Sequence, residues 1–379
     1  MRSAAPQRRA AERVGPIALT WDAARVRAVQ LVRTRRGSDG RPRFTGTAAT
    51  LRRPAGAGLH PDAPEVDAIA QMLRRRRFRG GKAILGACAE QLIATTLELS
   101  AREAADPEAS VTREIERIWG LEPGGYELAA WPAPSGPPGV HRPRRSDPGL
   151  TLLVHALPHT HALRQIAACP TPRLAAVDTA AWGLARLTAA AGWTGAGLAL
   201  RLGPDASSLA LIEDGVVGYE RPLLDAGLDQ PTGQLARLGF SDRAARRILA
   251  RHAWDDAGRM QIGPAACDIA DAYTRLVASE VLPVIRWAAA RGPHRAVRRA
   301  ALVDAGAGCR GLAAALSQRL ALPLAPLVAS AGITGITPDG TPASRAHAGA
   351  NDPDLEAHRL SLDAWAVNVG LALPRETRS

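Results

Sequence analysis

Lysine is almost absent from this chain: of its 48 basic residues only Lys82 is not an arginine. Aromatic side chains are 4% of the 379 residues, so the base-stacking platforms of single-strand nucleic-acid binders have little to draw on. The four cysteines, Cys88, Cys169, Cys267 and Cys309, lie far apart with no Cys-x-x-Cys spacing. That argues against a zinc site or a small disulfide framework and suits four thiols in a reducing compartment. No run of about 18 apolar residues occurs, and the basic start "MRSAAPQRRAAERVG" lacks the apolar core of a signal peptide. A cytoplasmic protein is expected, with any membrane association borrowed from a partner. Neither a Gly-x-Ser-x-Gly elbow nor a His-Glu-x-x-His pair is present, and Gly80-Gly81-Lys82 lacks the rest of a Walker loop.

What is present suits a globular protein of about two domains: 46% hydrophobic and 22% charged residues. The net charge of +12 comes with an Ala, Gly, Pro and Arg excess that reads as GC-rich codon pressure. The short clusters Arg74 to Arg77 and Arg142 to Arg145 read as solvated charge, and no nucleic-acid partner is expected. Hydropathy is more specific. "PIALTWDAARVRAVQLVRTRRGSDGRPRFTGTAA" alternates as three strands joined by tight turns, and "GLALRLGPDASSLALIEDGVVGYERPLL" repeats the plan roughly 180 residues later. Helical patterns follow each meander: 65 to 77 after the first, and a helix capped by Ser241 after the second. The stretch 267 to 291 reads as a long helix kinked at Pro283. Late in the chain "ALVDAGAGCRGLAAAL" (301 to 316) runs from a strand through Gly306-x-Gly308-x-x-Gly311 into a helix.

Taken in order, these pieces resemble the type IV pilus assembly protein PilM family of the actin-like superfamily. "RVRAVQLVR" is similar to the second strand of that family, "AILGACAEQLIATTLELS" to its inserted subdomain and "AAVDTAAWGLARL" to its hinge segment. "LALIEDGVVGYERPL" is similar to its strand pair after the second phosphate loop, "LGFSDRAARRILARHAW" and "GCRGLAAALSQRLALPLAPL" to its later helices, and "AWAVNVGLAL" to its ending. The resemblance implies an α/β, actin-like (ribonuclease H-like) duplicated fold with an inserted small subdomain. Expected boundaries are a disordered lead 1–13, domain I over 14–178 with an insertion at about 82–148, domain II over 179–336, a loop over 337–355 and a C-terminal helix within 356–379 returning to domain I.

Family members grip ATP between two hairpin turns and a Gly-rich turn, using backbone N–H groups, small hydroxyls and a carboxylate in each hairpin turn that arranges Mg²⁺. In the first loop Thr20 stands at the family's Asp and Asp22 at its Gly, which would set a carboxylate against the phosphates. In the second, Arg201 replaces the metal-organising acid, while Gly203, Ser207 and Ser208 keep the outline of a cradle. In the third, Asp304, Gly306 and Gly308 still allow close backbone approach. Asp178 stands where the hinge strand carries an acid, either a remnant of the metal side or an N-cap for the helix after it.

No catalytic or metal-binding residue and no cofactor is expected, and any surviving ATP contact would be weak. The resemblance implies a cytoplasmic scaffold, peripheral at the inner membrane, in a type IV pilus or related secretion platform. Its partners would be the tail of a bitopic, PilN-like membrane protein and the pilus motor ATPase. The alternative is an ATP-binding switch of the same fold. A sugar or acid kinase would need an intact first loop and a catalytic base. A Rossmann reading of Gly306-x-Gly308-x-x-Gly311 lacks the acid about 20 residues onward. His155, His159 and His161 read as a strand-end cluster rather than a metal site.

Overall fold

The structure is a computed structural model. It describes residues 13–22, 24–36, 42–54, 56–87, 91–133, 149–171, 173–204, 207–292, 295–331, 333–338 and 365–373. The expected lead 1–13 (all but Arg13), most of the loop 337–355, the stretch 134–148 and most of 356–379 lie outside the described residues.

The chain begins with the meander β1 (Arg13–Trp21), β2 (Arg25–Arg36) and β3 (Pro42–Arg52), then α1 (Ala63–Arg75) and β4 (Lys82–Ala87). Val26, Ala28, Val29 and Leu31 of β2 are all buried, so both faces of this strand are covered. Helix α1 starts on a capping box in which Asp62 accepts from the Glu65 amide and Glu65 from the Asp62 amide. Next come β5 (Ile93–Leu99), α2 (Pro107–Trp119), β6 (Tyr126–Pro132), β7 (Leu150–Pro158), α3 (His159–Ala167), β8 (Arg173–Thr179) and α4 (Ala180–Ala190). The second meander is β9 (Ala196–Leu202), β10 (Ser207–Glu213) and β11 (Val216–Leu223). Helices α5 (Asp229–Arg237), α6 (Asp242–Arg251), α7 (Asp256–Arg259) and α8 (Pro264–Ala290) follow. The described chain closes with β12 (Ala300–Val303), α9 (Leu312–Leu320), β13 (Ile333–Pro338) and α10 (Ala366–Ala372). Ser241 caps α6 through the Ala244 amide, and α8 remains helical through Pro283.

Two sheets repeat one plan. The first has the order β13-β3-β2-β1-β4-β8 and the second β11-β10-β9-β12. In each, the first strand of an antiparallel meander pairs in parallel with the next strand along (β1 with β4, β9 with β12). The position beyond β12 is reduced to a single bridge between Leu324 and Ala300. One core lies between the sheets around α4 and α10, a second buries the far face of the second sheet under α8 and α9, and a third lies under α1. Helices α4 and α10 cross at two glycines, where a Cβ on Gly370 would collide with the Gly183 carbonyl. That close approach is why "WGLARL" and "NVGLAL" each carry glycine inside a helix.

A three-stranded antiparallel sheet, β5-β7-β6, stands apart with α2 packed on one face. Its limits correct the boundaries expected at 82 and 148. Residues 83–87, expected in the insertion, are buried on both faces as a parallel strand between β1 and β8 must be. Leu150–Pro158, expected outside it, is the middle strand of the small sheet. Likewise β13, expected to fall largely within domain II, pairs with β3 of the first sheet, where Ile333 and Ile336 pack in the core that holds Phe44 and Ala48.

Candidate functional site

The two meanders face each other across a cleft of about 350 Å³ lined by Thr20, Trp21, Arg27, Gly86, Arg201, Asp304 and Asn368, among others. Three strands aim charge into it: Arg27 from β2, Arg201 from the end of β9, and Asp304 just past β12. Arg27 Nη1 donates to Asp304 Oδ1 at 2.7 Å, and Arg201 Nε donates to Oδ2 at 2.8 Å. Asp304 is 2% exposed and takes a φ of 64°, a left-handed conformation that an aspartate tolerates better than most residues. Burial pushes its carboxyl up, but the charges and hydrogen bonds of Arg27 and Arg201 outweigh it and hold the group below the ordinary carboxylate range. Asp304 is therefore ionised, and its two oxygens join the first meander to the second.

The other residues singled out in the sequence go to separate tasks. Asp22 closes its own turn, its Oδ1 accepting from the amides of Ala24 and Arg25 at 2.8 and 2.7 Å. Its other oxygen stands 3.7 Å from Arg27. Gly203 is buried and its carbonyl accepts from the Leu228 amide. Ser207 is buried and donates to the Ala226 carbonyl at 2.8 Å, so its hydroxyl is committed within domain II. Ser208 lines a second, adjacent cavity with Thr179, Arg201 and Glu220. Asp178 is not the N-cap of α4; Thr179 is, accepting from the Trp182 amide. Asp178 instead pairs with Arg186 at 2.8 Å, and Arg186 also donates to the Gly370 carbonyl.

The glycines of the late turn divide in the same way. A Cβ on Gly306 would sit 2.8 Å from Leu202 Cβ, so that glycine serves the packing of β9. Gly311, at φ 81°, lies against the Trp254 carbonyl. Only Gly308 among the three faces open space. Sequence reasoning passed over Arg27 and Asn368. Thr20 Oγ1 donates to Asn368 Oδ1 and Asn368 Nδ2 donates to the Arg27 carbonyl, so the last helix is stitched to the first loop. The one available signal was that an arginine at position 27 interrupts the apolar run of β2.

The second cavity lies where the small sheet meets the second meander. His155 stands 3.2 Å from Glu220 and lies edge-on to Trp131, whereas His159 faces Glu127 and His161 meets His60 at 3.0 Å. The three histidines thus have three different partners. Thr96 Oγ1 and Trp131 Nε1 on the same face of the small sheet are buried without a hydrogen-bond partner.

No protein-family model matches this sequence, and no curated protein does. Solved structures do match. A chain of a PilM–PilN type IV pilus biogenesis complex aligns over 95% of this chain and 97% of its own, with a TM-score of 0.65 and 17% identity. The chain has the actin-like fold. More distant actin-like matches are the ethanolamine utilisation protein EutJ from Carboxydothermus hydrogenoformans (TM-score 0.45, 12% identity, 85% of this chain and 89% of that one) and MreB 5 of Spiroplasma citri bound to AMPPNP (0.44, 10%, 83% and 94%). The Arg27–Asp304–Arg201 cluster lies in the cleft between the two meanders. No helix among the described residues is long and apolar enough to cross a membrane.

Proposed function

We propose that this protein is a cytoplasmic actin-like scaffold of a type IV pilus or related secretion platform at the inner membrane, acting without ATP hydrolysis. The observation that carries the reading is the cleft itself. In nucleotide-dependent relatives a bound phosphate chain bridges the two lobes; here a buried carboxylate held by two arginines makes that bridge from the protein's own side chains. Both sides of a metal-organising site are altered too, since Thr20 and Arg201 supply no carboxylate. The whole-length likeness to PilM supports the platform, and a pilus motor ATPase belongs to the same reading as a second contact.

The partner is a bitopic membrane protein of the PilN kind, its short cytoplasmic tail lying between the small sheet and the second meander. The lining of that groove combines the apolar Leu92, Ala94 and Pro222 with the charged Glu220 and Arg201.

Two titrations test this. A peptide copying the cytoplasmic tail of a PilN-like single-span protein from the same genome should bind, and Glu220→Ala should weaken it several-fold. With Mg-ATP at about 1 mM the melting temperature should not move, whereas a nucleotide bound with a dissociation constant near 10 μM would add about 2.7 kcal/mol at that excess. A clear ATP-dependent rise favours the switch; absence of peptide binding removes the scaffold.

A further inference from the structure

The cleft lies at the carboxyl ends of β1 and β4; the opposite edge of the same sheet has a different chemistry. There Lys82 opens β4 and Arg173 opens β8, paired in register, while Arg43 and Arg33 stand at the matching ends of β3 and β2. Helix α1 ends at this edge in Arg74 to Arg77. Arg79 follows, its backbone amide and carbonyl fixed by the Gln30 side chain at 2.8 and 2.6 Å, and the chain then enters β4. At the usual strand spacing the row from β3 to β8 is about 19 Å wide.

Among the described residues no acid interrupts it. Among the described residues of this half, Asp22 and Asp178 lie toward the cleft, and Asp62, Glu65 and Asp67 lie at the far end of α1. Glu65 is about 15 Å from Arg75 along the helix axis. Arg74, Arg75, Arg77, Lys82 and Arg173 are exposed, and none of them pairs with a described carboxylate. Beside them, α3 leads into the same edge, since Ala168 and Cys169 at its end share a core with Met72 and Leu73 of α1. Its outer side leaves Leu163 66% and Ile166 54% exposed, with Arg164 exposed between them.

Five exposed cations, Arg74, Arg75, Arg77, Lys82 and Arg173, with no described carboxylate beside them call for a multivalent anionic partner, and protruding aliphatic side chains beside them call for one with an apolar layer. An anionic bilayer offers both, whereas a nucleic acid would have no use for Leu163 and Ile166 and would find few aromatics to stack on. We propose that this edge rests directly on an anionic lipid surface, with Leu163 and Ile166 reaching past the headgroups. The contact belongs to this chain itself, so it stands or falls separately from capture by a bitopic partner.

The test uses the full chain alone with sedimented vesicles of phosphatidylcholine, with and without about 30% phosphatidylglycerol. Binding is expected only to the anionic vesicles and should fall with salt. The variant R74Q/R75Q/R77Q should lose about a hundredfold in partitioning, near fivefold per cation. L163S/I166S should weaken what remains at high salt, and R243Q/R247Q/R251Q on α6 should change binding less than about twofold, which excludes a bulk-charge effect. Equal binding to neutral vesicles, or an unchanged triple variant whose melting curve matches the parent, overturns the proposal. Duplex DNA retention lost in the same triple variant, without vesicle binding, would assign the edge to nucleic acid instead.

Discussion

Replacing Asp304 with alanine is expected to lower the unfolding free energy by about 3–5 kcal/mol. The carboxylate is buried and serves two guanidinium groups. Removing it leaves the Arg27 and Arg201 charges facing each other across the cleft without the carboxylate that both of them bind. Asp304→Asn should cost nearly as much, because shape is kept and charge is lost. The triple variant R27M/R201M/D304L should recover most of the loss, since desolvating the ions offsets most of what their mutual attraction contributes. Urea unfolding at neutral pH measures all three. The acid limb provides a second signature. The folded carboxyl titrates below its unfolded value, so its contribution is present above the unfolded pKa and disappears as pH falls through the folded one. Wild-type stability should therefore drop below about pH 4 by an amount that Asp304→Asn lacks. If Asp304→Ala costs less than about 1 kcal/mol, the cluster does not bridge the lobes.

The second large effect separates two glycines that look alike in the sequence. Gly311→Ala should destabilise by about 2–4 kcal/mol, combining left-handed strain with a Cβ driven into the Trp254 carbonyl. Gly308→Ala should stay within about 0.5 kcal/mol of the parent, because nothing lies near its missing Cβ. A nucleotide-binding turn would show a further result: Gly308→Ala would abolish an ATP-dependent rise in melting temperature. With no such rise in the parent, Gly308 has no ligand to make room for. Comparable losses at both glycines would mean that the turn is packed differently.

Those two glycines also show why the fold was readable from the sequence and the cleft less so. The apolar runs at Val26 to Val32 and Leu198 to Ile212, broken by turn residues, are local signals, and both meanders lie where the pattern puts them. The late Gly-rich turn and the cap at Ser241 were equally local. Ion pairs are not. Arg27 and Asp304 are 277 positions apart, and nothing near either residue announces the other. Asp22 shows the converse: a carboxylate two residues before a turn amide has a nearby partner that outcompetes a distant one. The boundary at 82 failed because a doubly buried run such as "AILGA" reads alike in a core sheet and in an insertion; only pairing with β1 and β8 decides.

Strand β13 and helix α10, the last described parts of the chain, complete the sheet that the first residues began. A gene fragment ending before Ile333 would yield a β3 whose outer edge has no partner and a hydrophobic floor without its cover, a surface prone to self-association. During synthesis β3 must wait for more than two hundred residues before its outer partner is made. Neither half is an independent module for dissection, and splitting the chain between its two meanders should give insoluble pieces.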